Sequence, residues 1–144
     1  TQVSVEGEEV WGITPYGNPA PSARISGYAG GNMINEDWLI STPIDLTGLT
    51  NIKLNFQTVV RYDGPALEVY MSTNYSGGDP SDSSWIQLDA TIDTDTGSWS
   101  SWTDSGDLDV SAAAGQTLFI AFKYISTTSG AATYELDNVL VSGE

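Results

Sequence analysis

The sequence predicts an all-β fold, a two-sheet antiparallel β-sandwich of the jelly-roll kind, and three observations predict it. Apolar residues recur at every second position in run after run, which is the side-chain period of a strand rather than a helix. The runs are short and are separated by clusters of Gly, Pro, Asp and Ser. No stretch keeps helical spacing for longer than one turn. About nine or ten short strands of this kind bury their apolar faces only by packing two sheets together.

Taken in chain order, short strands are expected at "EVWGIT", "ARISGYA" and "DWLISTPIDL". In the last of these Trp38 alternates with Ile40, so both are expected between the sheets, where large aromatics dominate sandwich cores. "IKLNFQTVVRY" sets Ile52, Leu54, Phe56, Thr58 and Val60 on one face. The same alternation picks out Leu67, Val69 and Met71 in "ALEVYMS", and Ile86, Leu88 and Ala90 in "WIQLDATI", where Trp85 heads the strand and is expected to fill a corner of the core. "WSSWTD" is a further short strand, with Trp99 and Trp102 three apart and therefore on opposite faces, Trp102 inward and Trp99 exposed. "TLFIAFKYIS" buries Leu118, Ile120 and Phe122. "TYELDNVLV" buries Tyr134 and Leu136, then Val139 and Val141, so its phase changes at Asp137–Asn138 and a bulge is expected there.

Composition narrows the chemistry. The 144 residues fit a single module spanning the whole chain, large enough to bury a core without disulfide or zinc staples. There is no Cys and no His, which removes thiol nucleophiles, Ser-His-Asp triads and His-liganded zinc. Nineteen Asp and Glu stand against four Lys and Arg, a formal net charge of −15. Such a surface repels phosphate, so neither nucleic acid nor an anionic membrane is an expected partner. No run reaches the roughly 18 apolar residues of a membrane helix. The chain starts at Thr1 without an initiator Met, and reads as a monomeric module excised from a larger secreted or cell-surface protein.

Five fragments in order, "DWLISTPIDLTG" with "LNFQT", "LEVYMSTNYSGGDPSDSSWIQLDA", "GSWSSWTDSGDLDVSAAAGQTLFIAFKY" and "YELDNVLV", resemble the choice-of-anchor J, cleaved-adhesin-like domains of secreted multimodular Bacteroidetes proteins. The resemblance implies a β jelly roll serving as an accessory module, often calcium-bearing, with carbohydrate binding as a leading role and other modules of the parent protein as neighbours. It also implies that the terminal strands pair.

Two metal-ligating groups are candidates for Ca²⁺. Asn32, Asn35, Glu36 and Asp37 offer closely spaced oxygens on the loop after the Gly30–Gly31 turn, as a hard cation requires, or are solvated turn residues. If the terminal strands pair, Glu8 or Glu9 of the first strand-like segment meets Asp137, with backbone carbonyls completing a structural site. Otherwise Asp137 and Asn138 simply give an exposed edge a polar cap.

Sugar-binding candidates come from strand phase. Gln57 and Arg61 lie on the face of their strand opposite the apolar one, with Glu68, Tyr70 and Lys123 expected on equivalent faces of neighbouring strands, and Tyr62 in the following "YDGP" loop. Amide, guanidinium, carboxylate and phenol groups together suit ring hydroxyls and the apolar faces of pyranose rings. The alternative is a solvated face with an Arg61–Glu68 ion pair. Trp99 is a second candidate, binding from an edge loop. The favoured function is a noncatalytic module for a neutral polysaccharide, first a β-1,3-glucan such as laminarin, because an acidic glycan meets a negative surface. A calcium-stabilised adhesin or spacer is the alternative. A small glycoside hydrolase using two of Glu68, Asp63, Asp89 and Glu135 is a third.

Overall fold

The computed structural model describes residues 1–99 and 101–144. Its strands are β1 Gln2–Glu6, β2 Gly12–Thr14, β3 Ser22–Ser26, β4 Asn35–Ile40, β5 Ile44–Asp45, β6 Lys53–Arg61, β7 Glu68–Ser72, β8 Ile86–Leu88, β9 Thr103–Asp104, β10 Leu108–Asp109, β11 Thr117–Ser126 and β12 Thr133–Ser142. Two single 3₁₀ turns, Pro80–Asp82 and Ser111–Ala113, complete the regular structure among the described residues. The first sheet runs β1-β4-β11-β7-β8 with β5 attached to β11. The second runs β10-β6-β12-β3-β2 with β9 attached to β6. All pairings within these sheets are antiparallel, and the two sheets make the sandwich that the period-two pattern predicts.

The core lies where the alternation puts it. Leu54, Phe56 and Val60 of β6 meet Val69, Met71, Leu118, Ile120 and Phe122 from the other sheet, all essentially removed from water. Phe56 and Phe122 touch edge to face across the interface, with ring centroids 5.0 Å apart. The phase break in β12 is a bulge, as expected: the register with β6 shifts between Asp137 and Leu140, and Asn138 takes φ 53°. Beyond it Val139 and Leu140 are exposed. Ile86 is exposed too, because β8 is an edge strand with one neighbour.

Three expectations are corrected. Trp38 and Ile40 share a face and are buried, but on the outside of the first sheet, not between the sheets. The inward positions of β4 are Asp37 and Leu39, paired with Tyr124 and Phe122 of β11. The terminal strands do not pair: β1 joins β4 in one sheet, whereas β12 lies between β6 and β3 in the other. Asp137 is therefore engaged elsewhere, its carboxylate accepting from the backbone N–H groups of Asn18 and Asn138, at 2.6 and 2.8 Å. Glu8 and Glu9 sit in the turn after β1, not in a strand. β1 itself was not legible, since "QVSVE" has only two apolar residues. As an edge strand it is held by backbone pairing rather than by burial.

Candidate functional site

The outer face of the first sheet is a second, smaller core. Trp38 stacks at 5.4 Å on both Tyr70 and Trp85, and Tyr75 packs at 5.4 Å on Trp85 and Phe119. The segment between β7 and β8 folds over this cluster as a roof. It is pinned by Trp85 Nε1 donating to the Pro80 carbonyl (2.9 Å) and by the Tyr75 hydroxyl donating to the Gly78 carbonyl (3.1 Å). The polar groups beneath are satisfied: Lys123 pairs with Glu36 at 3.5 Å, and the Tyr70 hydroxyl donates to Glu68 at 2.6 Å. Burial and the Glu68 carboxylate push the Tyr70 phenol up to about 12. Glu68, Tyr70 and Lys123 thus belong to this roofed face. The single surface expected to join them to Gln57, Arg61 and Tyr62 does not exist, because β7 and β11 lie in one sheet and β6 in the other.

The outer face of the second sheet has no such roof. Its floor follows from register: Arg24 on β3 stands opposite Glu135 on β12, which stands opposite Val59 on β6. In the next row Ser26, Thr133 and Arg61 lie side by side. Two loops wall the floor and leave a groove of about 630 Å³ lined by Tyr16, Arg24, Tyr62, Trp99, Trp102 and Glu135 among others. A second recess of about 700 Å³ shares Arg24 and Tyr62 and extends toward Tyr28 and Asn32. Trp99 is 45% exposed, against 7% for Trp38. Trp102 is half-buried and lines the same groove as Trp99, not the core as expected; it precedes β9, which begins only at Thr103. Ser100, within the "WSSWTD" strand expected there, lies outside the described residues.

Each arginine lies against an aromatic ring on this face. The Arg24 guanidinium is 5.8 Å from the Trp99 ring centroid and that of Arg61 is 4.8 Å from Tyr62. Among the described residues the ion pairs belong to the two lysines, and neither arginine makes one. Arg61 is oriented by a 2.8 Å hydrogen bond to the Thr96 carbonyl, which also accepts from the Tyr62 N–H at 3.1 Å. β6 ends at Arg61, and Tyr62 turns out of the strand with φ 67°, a left-handed conformation that a bulky residue adopts only when its surroundings impose it. The following turn needs Gly64, where a Cβ would lie 2.4 Å from the Ala132 nitrogen. Burial at the groove floor raises the Glu135 carboxyl above its ordinary range, an effect that the neighbouring Arg24 charge opposes. Gln57 sits at the far end of the face, accepting from the side-chain amides of Asn18 and Asn138, both at 3.0 Å.

Sequence reasoning put Arg61 and Tyr62 on this side of β6 and Trp99 at the surface, and named Arg24 and Tyr16 as candidates without placing them, or Glu135, beside the others. Alternation shows that Arg24 points away from Ile25. Only the β3-β12-β6 order shows what it points beside.

No protein-family model and no curated protein matches the sequence. Solved structures do match. The K2 cleaved adhesin domain of Lys-gingipain is similar with a TM-score of 0.67 and 18% identity, over 99% of this chain and 88% of that one. The K1 domain of Lys-gingipain from Porphyromonas gingivalis W83 gives 0.64 and 17%, over 100% and 90%. TmCBM61, solved in complex with β-1,4-galactotriose, gives 0.56 and 9%, over 100% and 88%. At these identities the likeness establishes the β-sandwich fold.

Proposed function

We propose that this chain is a noncatalytic carbohydrate-binding module whose sugar site is the open outer face of the second sheet. The observation that carries the reading is the groove itself, in which exposed aromatic rings converge with the Arg24 guanidinium, which makes no ion pair among the described residues. Trp99, Tyr62 and Tyr16 offer flat apolar faces to pyranose C–H surfaces, while Arg24, Arg61 and Glu135 offer donors and an acceptor to ring hydroxyls. The likeness to a module solved with a bound galactotriose supports the same use of the fold.

The ligand is a neutral polysaccharide, with β-1,3-glucan such as laminarin as first choice and mixed-linkage glucans next. Glu135 stands beside Arg24 and offsets its charge without pairing to it, and the chain as a whole carries −15, so an acidic glycan gains no net attraction. Affinity electrophoresis against neutral and acidic polysaccharides, with Trp99→Ala and Arg24→Ala run alongside the wild type, tests this. Retardation by neutral glucans that both variants lose is the expected result. Retardation by acidic glycans alone overturns the neutral-ligand reading, and retardation by none favours the adhesin or spacer role suggested by the likeness to cleaved adhesin domains. Release of reducing ends from a retarding glucan overturns the noncatalytic assignment.

A further inference from the structure

The open face of the second sheet runs on past the end of β3 into the loop that carries Gly30–Gly31. Arg24 and Ser26 lie on the outer side of β3, and Ile25 between them is buried. Gly27 then presses inward, where an added Cβ would run into Ser126 and the Tyr124 hydroxyl. Tyr28 therefore emerges on the same side as Arg24 and Ser26, and it is 59% exposed. The rows Arg24–Glu135–Val59 and Ser26–Thr133–Arg61 are followed, beyond the strand ends, by Tyr28, Ala131 and Asp63 around one recess. Three rows two residues apart span about 13 Å along the strand. Since the 630 Å³ and 700 Å³ recesses share Arg24 and Tyr62, they form one trough parallel to β3, longer than the part that Trp99 serves.

The far end of the trough is built in advance. Tyr28 bridges to Asn32, the Ala29 N–H donates to the Gly31 carbonyl at 3.0 Å, and the Met33 N–H donates to the Gly27 carbonyl at 2.9 Å. The Tyr28 N–H donates to Ser26 Oγ at 3.3 Å. The opposite wall is held by Thr96: its hydroxyl donates to Asp63 at 2.7 Å, and its carbonyl holds Arg61 and the Tyr62 N–H. Among the described residues, the Tyr28 hydroxyl and the Asn32 side-chain amide make no hydrogen bond within the protein and are left for a ligand.

We propose that Tyr28 and Asn32 form a second sugar subsite, so that the module binds a run of a linear neutral glycan laid along β3 and prefers long chains to short oligosaccharides. The inference rests on the sugar-site reading above. Tyr28 offers a ring face to a pyranose, and the Asn32 amide offers a donor and an acceptor to neighbouring hydroxyls. Because the 27–33 loop is already closed on itself, little ordering cost falls on binding there. Asp63 on the facing wall disfavours a uronic acid at this subsite. A disaccharide seated at Trp99 leaves the far end empty, and a longer chain fills both.

The test is calorimetric titration with laminaribiose and laminarihexaose, or with the two- and six-unit oligosaccharides of whichever neutral glucan retards the protein. The wild type should bind the hexaose at least about tenfold more tightly than the biose. In Tyr28→Ala and in Asn32→Ala that ratio should fall below about threefold with the melting temperature unchanged, whereas Trp99→Ala should weaken the biose as well as the hexaose. A wild-type hexaose affinity no better than that of the biose, or a length gain kept in both loop variants, overturns the second subsite and leaves the groove reading standing. Binding of neither length from any neutral glucan removes the sugar site itself, and the subsite with it.

Discussion

The two outer faces of this sandwich carry nearly the same side chains and end in opposite states. On the first sheet Trp38, Tyr70, Trp85, Lys123 and Glu36 form a packed cluster in which each polar group has a partner. On the second, Trp99, Tyr62, Arg24 and Glu135 line an open groove with Arg61 against Tyr62 beside it, and among the described residues neither arginine makes an ion pair. The difference is one connection. The chain between β7 and β8 returns over its own sheet and seats Tyr75 and Trp85 on Trp38, whereas the loops bordering the second sheet stop at its rim. An aromatic residue next to a cation is thus a core element or a ligand contact according to what covers it, and its identity alone does not say which.

Truncating one aromatic on each face gives the largest contrast. Trp38→Ala opens a cavity beneath the roof and should lower stability by about 3–5 kcal/mol in urea unfolding. A loss under about 1 kcal/mol means that the roofed face is not core. Trp99→Ala should leave the urea midpoint almost unchanged and weaken glucan binding by about 1–3 kcal/mol in calorimetric titration. Equal stability losses in the two variants would erase the distinction. A finer probe is Tyr62→Gly, which relieves the left-handed backbone while removing the ring. Melting should hold or rise, by up to about 1 kcal/mol of stability, as binding falls; a lowered melting point assigns Tyr62 a structural role instead.

The smallest effect is electrostatic. Because the folded-state pKa of Glu135 is raised, chiefly by burial, the folded protein holds this proton more tightly than the unfolded chain. The contribution is full below the ordinary glutamate range and is lost as pH rises through the folded-state value. Glu135→Gln should flatten that part of the stability–pH curve, and an unaltered slope means that the carboxyl is hydrated in the groove.

Alternation made most of the architecture legible, since a half-buried strand must repeat at two: the inward faces of β6, β7 and β11 and the break in β12 were all readable from spacing. β1 and β8 were less so, because edge strands are held by backbone hydrogen bonds that any side chain permits. At the site, the strand end at Arg61 and the exposure of Trp99 were legible. The pairing of Arg24 with Glu135 was not, because their separation in sequence says nothing about strand order.

The sequence by itself determined an all-β sandwich without thiol or imidazole chemistry, a strongly acidic composition, and the aromatic and cationic residues from which a candidate site is drawn. Tertiary structure decided which sheet each strand joined and which side of each sheet was covered. For Trp38 the two levels disagreed. Period two states that Trp38 and Ile40 share a face, but the inner and outer faces of a sheet are equivalent to that pattern until a loop covers one of them. With Trp85 and Tyr75 supplying a second apolar surface, β4 turned its tryptophan outward and its aspartate in. That inversion depends on contacts between residues tens of positions apart, and local spacing carries no information about them.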